Sequence, residues 1–367
     1  MISLTPTDEQ QMLVETVRRF SAEVVRPAAH DADERGAFPE RVVQTGWELG
    51  ILPGSIPEQL GGFAEEYSAI TGALAYEELA YGDLALALQV MTPALVAVPL
   101  LLAGTDEQRA SGIEQFLDGA PPAVTAALLE PAISFDPLQP KTLATLDDEG
   151  CYLLNGSKAY VPLADGATSI LVYAWNAEAG QVDGFFVAGD AEGLTIGPRE
   201  KLMGLRALPM NRLALDNVRV SPAQRLGGEA GIDFPAILAH SRVALAALAV
   251  GVMRASLDYA INYAKEREQF GAPIATKQAI AFMLAECAIE IDAARLMAWE
   301  AAWKLDQGED ASKEAYLAKE YAAKAALTVT DAAVQTLGGH GYIREHPVER
   351  WLRDARGFAA FEGLAIV

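Results

Sequence analysis

The sequence predicts a multidomain α+β protein: an all-helical N-terminal part, a middle β-sandwich or barrel, and a long C-terminal four-helix-bundle domain. Three observations predict it. From residue 8 to about 120, apolar residues recur at helical spacing with little β-branched alternation. From Pro121 and Pro122 to about Val220, short apolar runs alternate with turn signals. From about Ile232 onward, three long stretches rich in alanine and leucine return to helical spacing, and long helices with short connections favour antiparallel packing. The expected division is 1–120, 121–226 and 227–367.

Taken in order, Thr7 and Gln10 have capping-box spacing, and Leu13, Val17 and Phe20 follow at helical intervals. A helix is expected over Glu9–Arg26. Further helices are expected over Pro39–Leu49, Glu66–Tyr81, Leu84–Leu102 and Asp106–Asp118, with turns at Pro53-Gly54 and across Pro57–Gly62. The stretch Leu84–Ala103 has the length of a membrane span. Pro93 and Pro99 interrupt it, however, and flanking basic anchors are missing, so it reads as two short buried helices joined at a proline. "CYLLNG", "SILVYAW", "GFFVAG", "LTIG" and "LALDNVRV" read as strands, close enough together for a small sandwich or barrel. Phe234–Glu268, Lys277–Leu305 and Ser312–Leu337 are the long helices.

The net charge of −22 argues against binding a phosphate backbone, which requires concentrated positive charge. Two cysteines, Cys151 and Cys287, and four histidines show no metal-ligand spacing. This fits a reducing cytoplasm, and no metal site is expected. The N-terminus lacks the basic and apolar regions of a signal peptide.

Three C-terminal stretches carry chemistry. Residues 263–278 read "YAKEREQFGAPIATKQ", residues 335–342 "QTLGGHGY", and residues 347–363 "PVERWLRDARGFAAFEG". In this order on a helical domain they resemble the acyl-CoA dehydrogenase family. "LLEPAISFD" and "LNGSKAYV" stand in the β segment where that family has its TEPxxGSD and NGxKxWITN stretches. The resemblance covers nearly the whole chain, and its C-terminal motifs are specific in combination.

The resemblance implies an FAD enzyme that forms a double bond between the α and β carbons of an acyl-CoA. A carboxylate base removes the α proton while a hydride leaves for flavin N5. Such a base needs high basicity, and burial against apolar groups raises a carboxyl pKa. Glu362, between Phe361 and Gly363, stands where the family carries its base. Phe361 would desolvate it, and Gly363 permits a tight turn near the ligand. Some relatives hold the base one residue before an arginine matching Arg242, but here that residue is Ser241. Arg242 is a charge in an otherwise apolar helix, which needs a partner or a function. The resemblance puts it in the substrate pocket, and a buried ion pair is the alternative. Arg350, Arg353 and Arg356 lie at helical spacing and are expected to pair partly with the excess acids.

For FAD, the resemblance carries over Arg267, Gln269 and Phe270, reaching across a subunit interface to a neighbour's pyrophosphate. Gln335, Gly338 and Gly339 match a stretch that approaches the same FAD from the other subunit. Leu128 and Leu129 offer backbone groups to the ring, and Tyr160 can stack on it. A shared cofactor implies an oligomer, in this family a homotetramer built as a dimer of dimers. The electron acceptor would be an electron-transfer flavoprotein.

The chain also departs from the pattern. Leu129 and Leu364 replace threonines, Phe135 a serine, and Tyr160 a tryptophan. Pro162 replaces the threonine beside flavin N5 and has neither hydroxyl nor N–H. The sequence stops at "EGLAIV", where relatives continue into a final helix. Two other readings stay open at this level: an acyl-CoA oxidase-like enzyme, and a catalytically weak or structural subunit of a mixed complex.

Overall fold

The computed structural model describes residues 5–36 and 39–367. Helix α1 (Asp8–Phe20) starts at the expected capping box: the Thr7 hydroxyl accepts from the Gln10 N–H, and the Gln10 side chain accepts from the Thr7 N–H. The helix does not stop at Arg26. A π turn over Ser21–Val25 carries it into α2 (Arg26–Arg35). Pro27 has no N–H and crowds the turn before it. The wider turn, in which the Arg26 N–H reaches back to Ser21 O, absorbs that misfit.

Helices α3 (Glu40–Glu48) and α4 (Ala69–Gly82) flank the expected turn region. Helices α5 (Leu84–Met91) and α6 (Ala94–Ala103) are the two short buried helices, bent by 49° where Pro93 joins them. Pro99 does not interrupt α6. Residues 94–100 are all buried, and packing offsets the one lost hydrogen bond. Helix α7 (Asp106–Gly112) ends short of Asp118 at a residue of low helix propensity, and a 3₁₀ turn, Glu114–Phe116, follows.

Seven strands then form one mixed sheet: β1 (Val124–Ala127), β2 (Leu143–Leu146), β3 (Tyr152–Pro162), β4 (Ser169–Asn176), β5 (Gln181–Ala188), β6 (Leu194–Arg199) and β7 (Met210–Val220). Their order is β1–β4–β2–β3–β7–β6, with β5 paired to β4. Strands β1 and β2 were not anticipated, because four residues are too few to show an alternating pattern. Leu154, Ile170, Val172, Phe185, Leu213 and Val218 belong to a separate buried cluster of this sheet.

Helices α8 (Phe234–Glu266), α9 (Gln278–Asp306), α10 (Ser312–Leu337) and the eight-residue α11 (Val348–Ala355) complete the chain. By itself α8 is long and apolar enough to cross a membrane, yet 89% of its most apolar window is buried inside the protein. It packs against α4, α9 and α10. Arg254 of α8 and Arg295 of α9 both bind Glu77 of α4, and Arg254 also binds Glu78. Helix α8 ends two residues before Glu268, in the small hairpin β8 (Glu268–Gln269) and β9 (Ala272–Pro273). Phe270 and Gly271, at φ 56° and 79°, make its two-residue turn.

Candidate active site

Glu362 follows α11 and a 3₁₀ turn, Arg356–Ala359. Its position depends on the residue after it. Gly363 has φ 69°, and a Cβ there would stand 2.8 Å from the side chain of Leu128. Glycine therefore lets the segment pass directly against the end of β1. Phe361 is buried, edge-on to Phe358 with ring centroids 6.0 Å apart. The Glu362 side chain is 11% exposed.

The surroundings of that carboxylate differ from the apolar wedge expected. Two cations face it. Arg242 of α8 donates from Nε to Oε2 and from Nη2 to Oε1, each at 3.3 Å. Lys319 of α10, 5% exposed, places Nζ 3.5 Å from Oε1. The ring of Tyr316 lies 5.1 Å from the Arg242 guanidinium. Arg242 is thus a half-buried ion-pair partner, and its partner is the candidate base itself. Apolar neighbours alone cannot hold an ionised carboxylate out of water, so cations accompany it.

Narrow spaces adjoin Glu362 on both sides in sequence. Gly363, Leu128 and Ser241 line a cavity of about 20 Å³ with Leu95 and Leu238. The Ser241 hydroxyl is buried there without a hydrogen-bond partner. Phe361 and Tyr160 line a second cavity, about 220 Å³, with Met203, Gly204 and Arg356. Tyr160 takes a left-handed φ of 53° beside an irregularity in the β3–β7 pairing between Lys158 and Val161. Such irregularities redirect side chains near functional sites.

At the other predicted β-domain positions the backbone carbonyls make bonds within the fold. The Leu128 carbonyl accepts from Lys158 Nζ at 3.0 Å, and the Leu129 carbonyl from the Ala159 N–H at 2.8 Å. The Pro162 carbonyl accepts from the Thr125 hydroxyl at 2.7 Å. These three oxygens are already committed to the fold. Phe135 is half-buried against the large core, and neither Phe135, Leu129 nor Pro162 lines either cavity. Burial lowers the Lys158 pKa to about 8, against the pull of Glu130, whose Oε1 lies 3.0 Å away. Glu130 also accepts from the N–H groups of Lys141 and Thr142.

Arg267, Gln269, Phe270, Gly338 and Gly339 meet around a third cavity, about 380 Å³, together with Lys277. The stretches expected to come from opposite subunits therefore face each other within one chain. The α8–β8 corner and the end of α10 are neighbours in the bundle. Gln335 is exposed on α10 and does not line this cavity. Arg353 pairs with Asp33 and Glu349, and Arg350 Nε lies 3.2 Å from Asp83 Oδ2. Arg356 instead remains beside the Tyr160 cavity. A larger cavity, about 790 Å³ between α3, α5 and the start of β1, contains no predicted site residue.

Comparison with known proteins bears on this arrangement. Family profiles match throughout: acyl-CoA dehydrogenase, N-terminal domain, at residues 7–120; middle domain at 125–218; C-terminal domain at 234–365. A 3-(aryl)acrylate reductase of Clostridium sporogenes is 32% identical, with 98% of this chain and 96% of that protein covered. The mitochondrial short-chain specific acyl-CoA dehydrogenase of Bos taurus is 34% identical over 97% of this chain and 87% of its own. The chain belongs to the acyl-CoA dehydrogenase family. Among solved structures, butyryl-CoA dehydrogenase from Megasphaera elsdenii superposes with a TM-score of 0.88 at 30% identity, covering 100% of this chain and 96% of that one.

As a member of this family, the protein is an FAD-dependent oxidoreductase. Its residues fit the cofactor. Arg267 and Lys277 have no ion-pair partner among the described residues, and they stand beside the glycine backbone of 338–339, where a Cβ would meet open space. Unpaired cations with accessible backbone suit a pyrophosphate. Sequence reasoning missed Lys277, Tyr316 and Lys319. The signal for Lys319 was present: it shares a helical face with Ala315, Ala322 and Ala326, all buried, as a lone charge.

Proposed function

We propose that this acyl-CoA dehydrogenase removes the α proton of an acyl-CoA thioester with Glu362 while a hydride leaves the β carbon. FAD supplies the acceptor for that hydride. The observation that carries the reading is the buried Glu362 carboxylate, held at the meeting point of α8, α10 and the end of β1. Its Phe361 and Gly363 neighbours each border a cavity. The base takes the proton, and Arg242 and Lys319 keep the local charge balanced as negative charge moves from the carboxylate toward the thioester. Tyr160 would stack on the flavin ring, and Arg267, Gln269, Phe270, Gly338 and Gly339 would hold the pyrophosphate end.

The two groups of cofactor residues line cavities with no residue in common. One FAD shared between two chains would use both groups. A homotetramer and an electron-transfer flavoprotein as acceptor complete the proposal, in a cytoplasmic setting that suits two free cysteines. Glu362→Gln tests it. FAD content and acyl-CoA binding are expected to persist while turnover with an artificial electron acceptor falls roughly 10²–10⁴-fold. Near-normal turnover overturns the assignment of the base.

One observation favours a second reading, a subunit that binds flavin weakly. The carbonyls of Leu128, Leu129 and Pro162 are already used within the fold. Flavin counted per purified chain separates the two: about one favours the enzyme, and well below one the weak binder.

A further inference from the structure

The two oxygens of Glu362 are not equivalent. Arg242 donates from Nη2 to Oε1 and from Nε to Oε2, each at 3.3 Å, and the Lys319 ammonium makes its nearest approach to Oε1, with Nζ 3.5 Å away. Among the described residues Lys319 has one other charged partner, Glu320, 3.3 Å away and 36% exposed at its side chain. A lysine side chain 5% exposed loses most of its hydration, and only a well-placed carboxylate offsets that loss. One turn earlier on α10, Tyr316 sets its ring against the Arg242 guanidinium. A single face of α10 therefore reaches the acid twice, directly through Lys319 and indirectly through Tyr316 and Arg242.

Building on the role proposed for Glu362, we infer that Lys319 is a positioning residue: it anchors Oε1 and so leaves Oε2 as the oxygen that takes the substrate proton. The step balances simply. The α C–H bond breaks, an O–H bond forms at Oε2, and the electron pair stays on the substrate for the hydride departure already described. Lys319 touches none of the reacting atoms. Its contribution is to restrict rotation of the carboxylate, so that a single oxygen faces the α carbon.

Kinetics of the holoenzyme variants Lys319→Met and Lys319→Gln test this. Both are expected to lower kcat about ten- to a hundredfold, the scale of a misplacement near 1 Å. KM, flavin per chain and melting temperature should change little. The isotope effect on kcat with α-deuterated substrate should rise, because proton removal becomes more limiting. Lys319→Arg, which keeps a cation on Oε1, should recover most of the rate. Unchanged kcat in both neutral variants overturns the inference, as does a loss that follows flavin content or melting temperature. Should neither neutral variant fold, a Lys319→Arg enzyme with an unchanged isotope effect supports it, and one as slow as Glu362→Gln overturns it. Wild-type kcat in Lys319→Met beside an inactive Glu362→Gln removes only this inference. Turnover surviving in Glu362→Gln removes the reading beneath it.

Discussion

At the scale of single residues, Gly363 carries more than its lack of a side chain suggests. It combines a left-handed backbone with a contact that leaves no room for a methyl group. Gly363→Ala therefore meets both a φ penalty and a clash with Leu128, together about 1–3 kcal/mol. It should lower the melting temperature, and activity should fall further than stability because Glu362 is displaced; stability and kcat measured on the same preparation check this. Glu362, Arg242 and Gly363 were legible in the chain as a motif and as a charge in an apolar helix. Lys319 was not paired with Glu362 in the sequence, because 43 positions separate them and only the packing of α10 on the C-terminal segment joins them.

Among the elements, the long helices were the most readable, since their apolar spacing persists over many turns. Ends and short pieces were the least. The π turn before Pro27, the early stop of α7, and strands β1 and β2 depend on local strain or on tertiary pairing, and neither leaves a long periodic trace. The junction of α5 and α11 illustrates what such contacts imply. Asp83 caps α5 by accepting from the Leu86 N–H, and Arg350 and Asp354 of α11 stand near it. Burial, reinforced by the charge of Asp83, pushes the Asp354 carboxyl up to about 7. The folded state then binds this proton more tightly than the unfolded chain, whose Asp titrates near 4. Its stabilising contribution is complete below about pH 4 and is lost as pH rises toward 7. Asp354→Asn removes the titration and can keep the bond from the Leu205 N–H. Relative to wild type, this variant should gain at least about 1 kcal/mol between pH 5 and pH 8; denaturant unfolding at the two pH values measures the change.

Across the whole molecule, the surface of α9 supports association. Phe282, Ile289 and Leu296 recur every seven residues and remain 57%, 67% and 46% exposed, a stripe that suits a partner helix. The third cavity adds a geometric demand. Arg267 and Gly338 lie together on each chain, lining a different cavity from Tyr160. In a two-fold pair, each composite site would take its acid from one copy and its phosphate clamp from the other. Defects in these two halves should therefore complement each other. Glu362→Gln and Arg267→Ala homodimers would each be impaired, but a hybrid carrying one of each concentrates both lesions in one site and leaves its twin whole. Mixing the two impaired parents and allowing subunits to exchange should restore turnover to about half the wild-type rate per hybrid dimer, a recovery unavailable to sites built within a single copy.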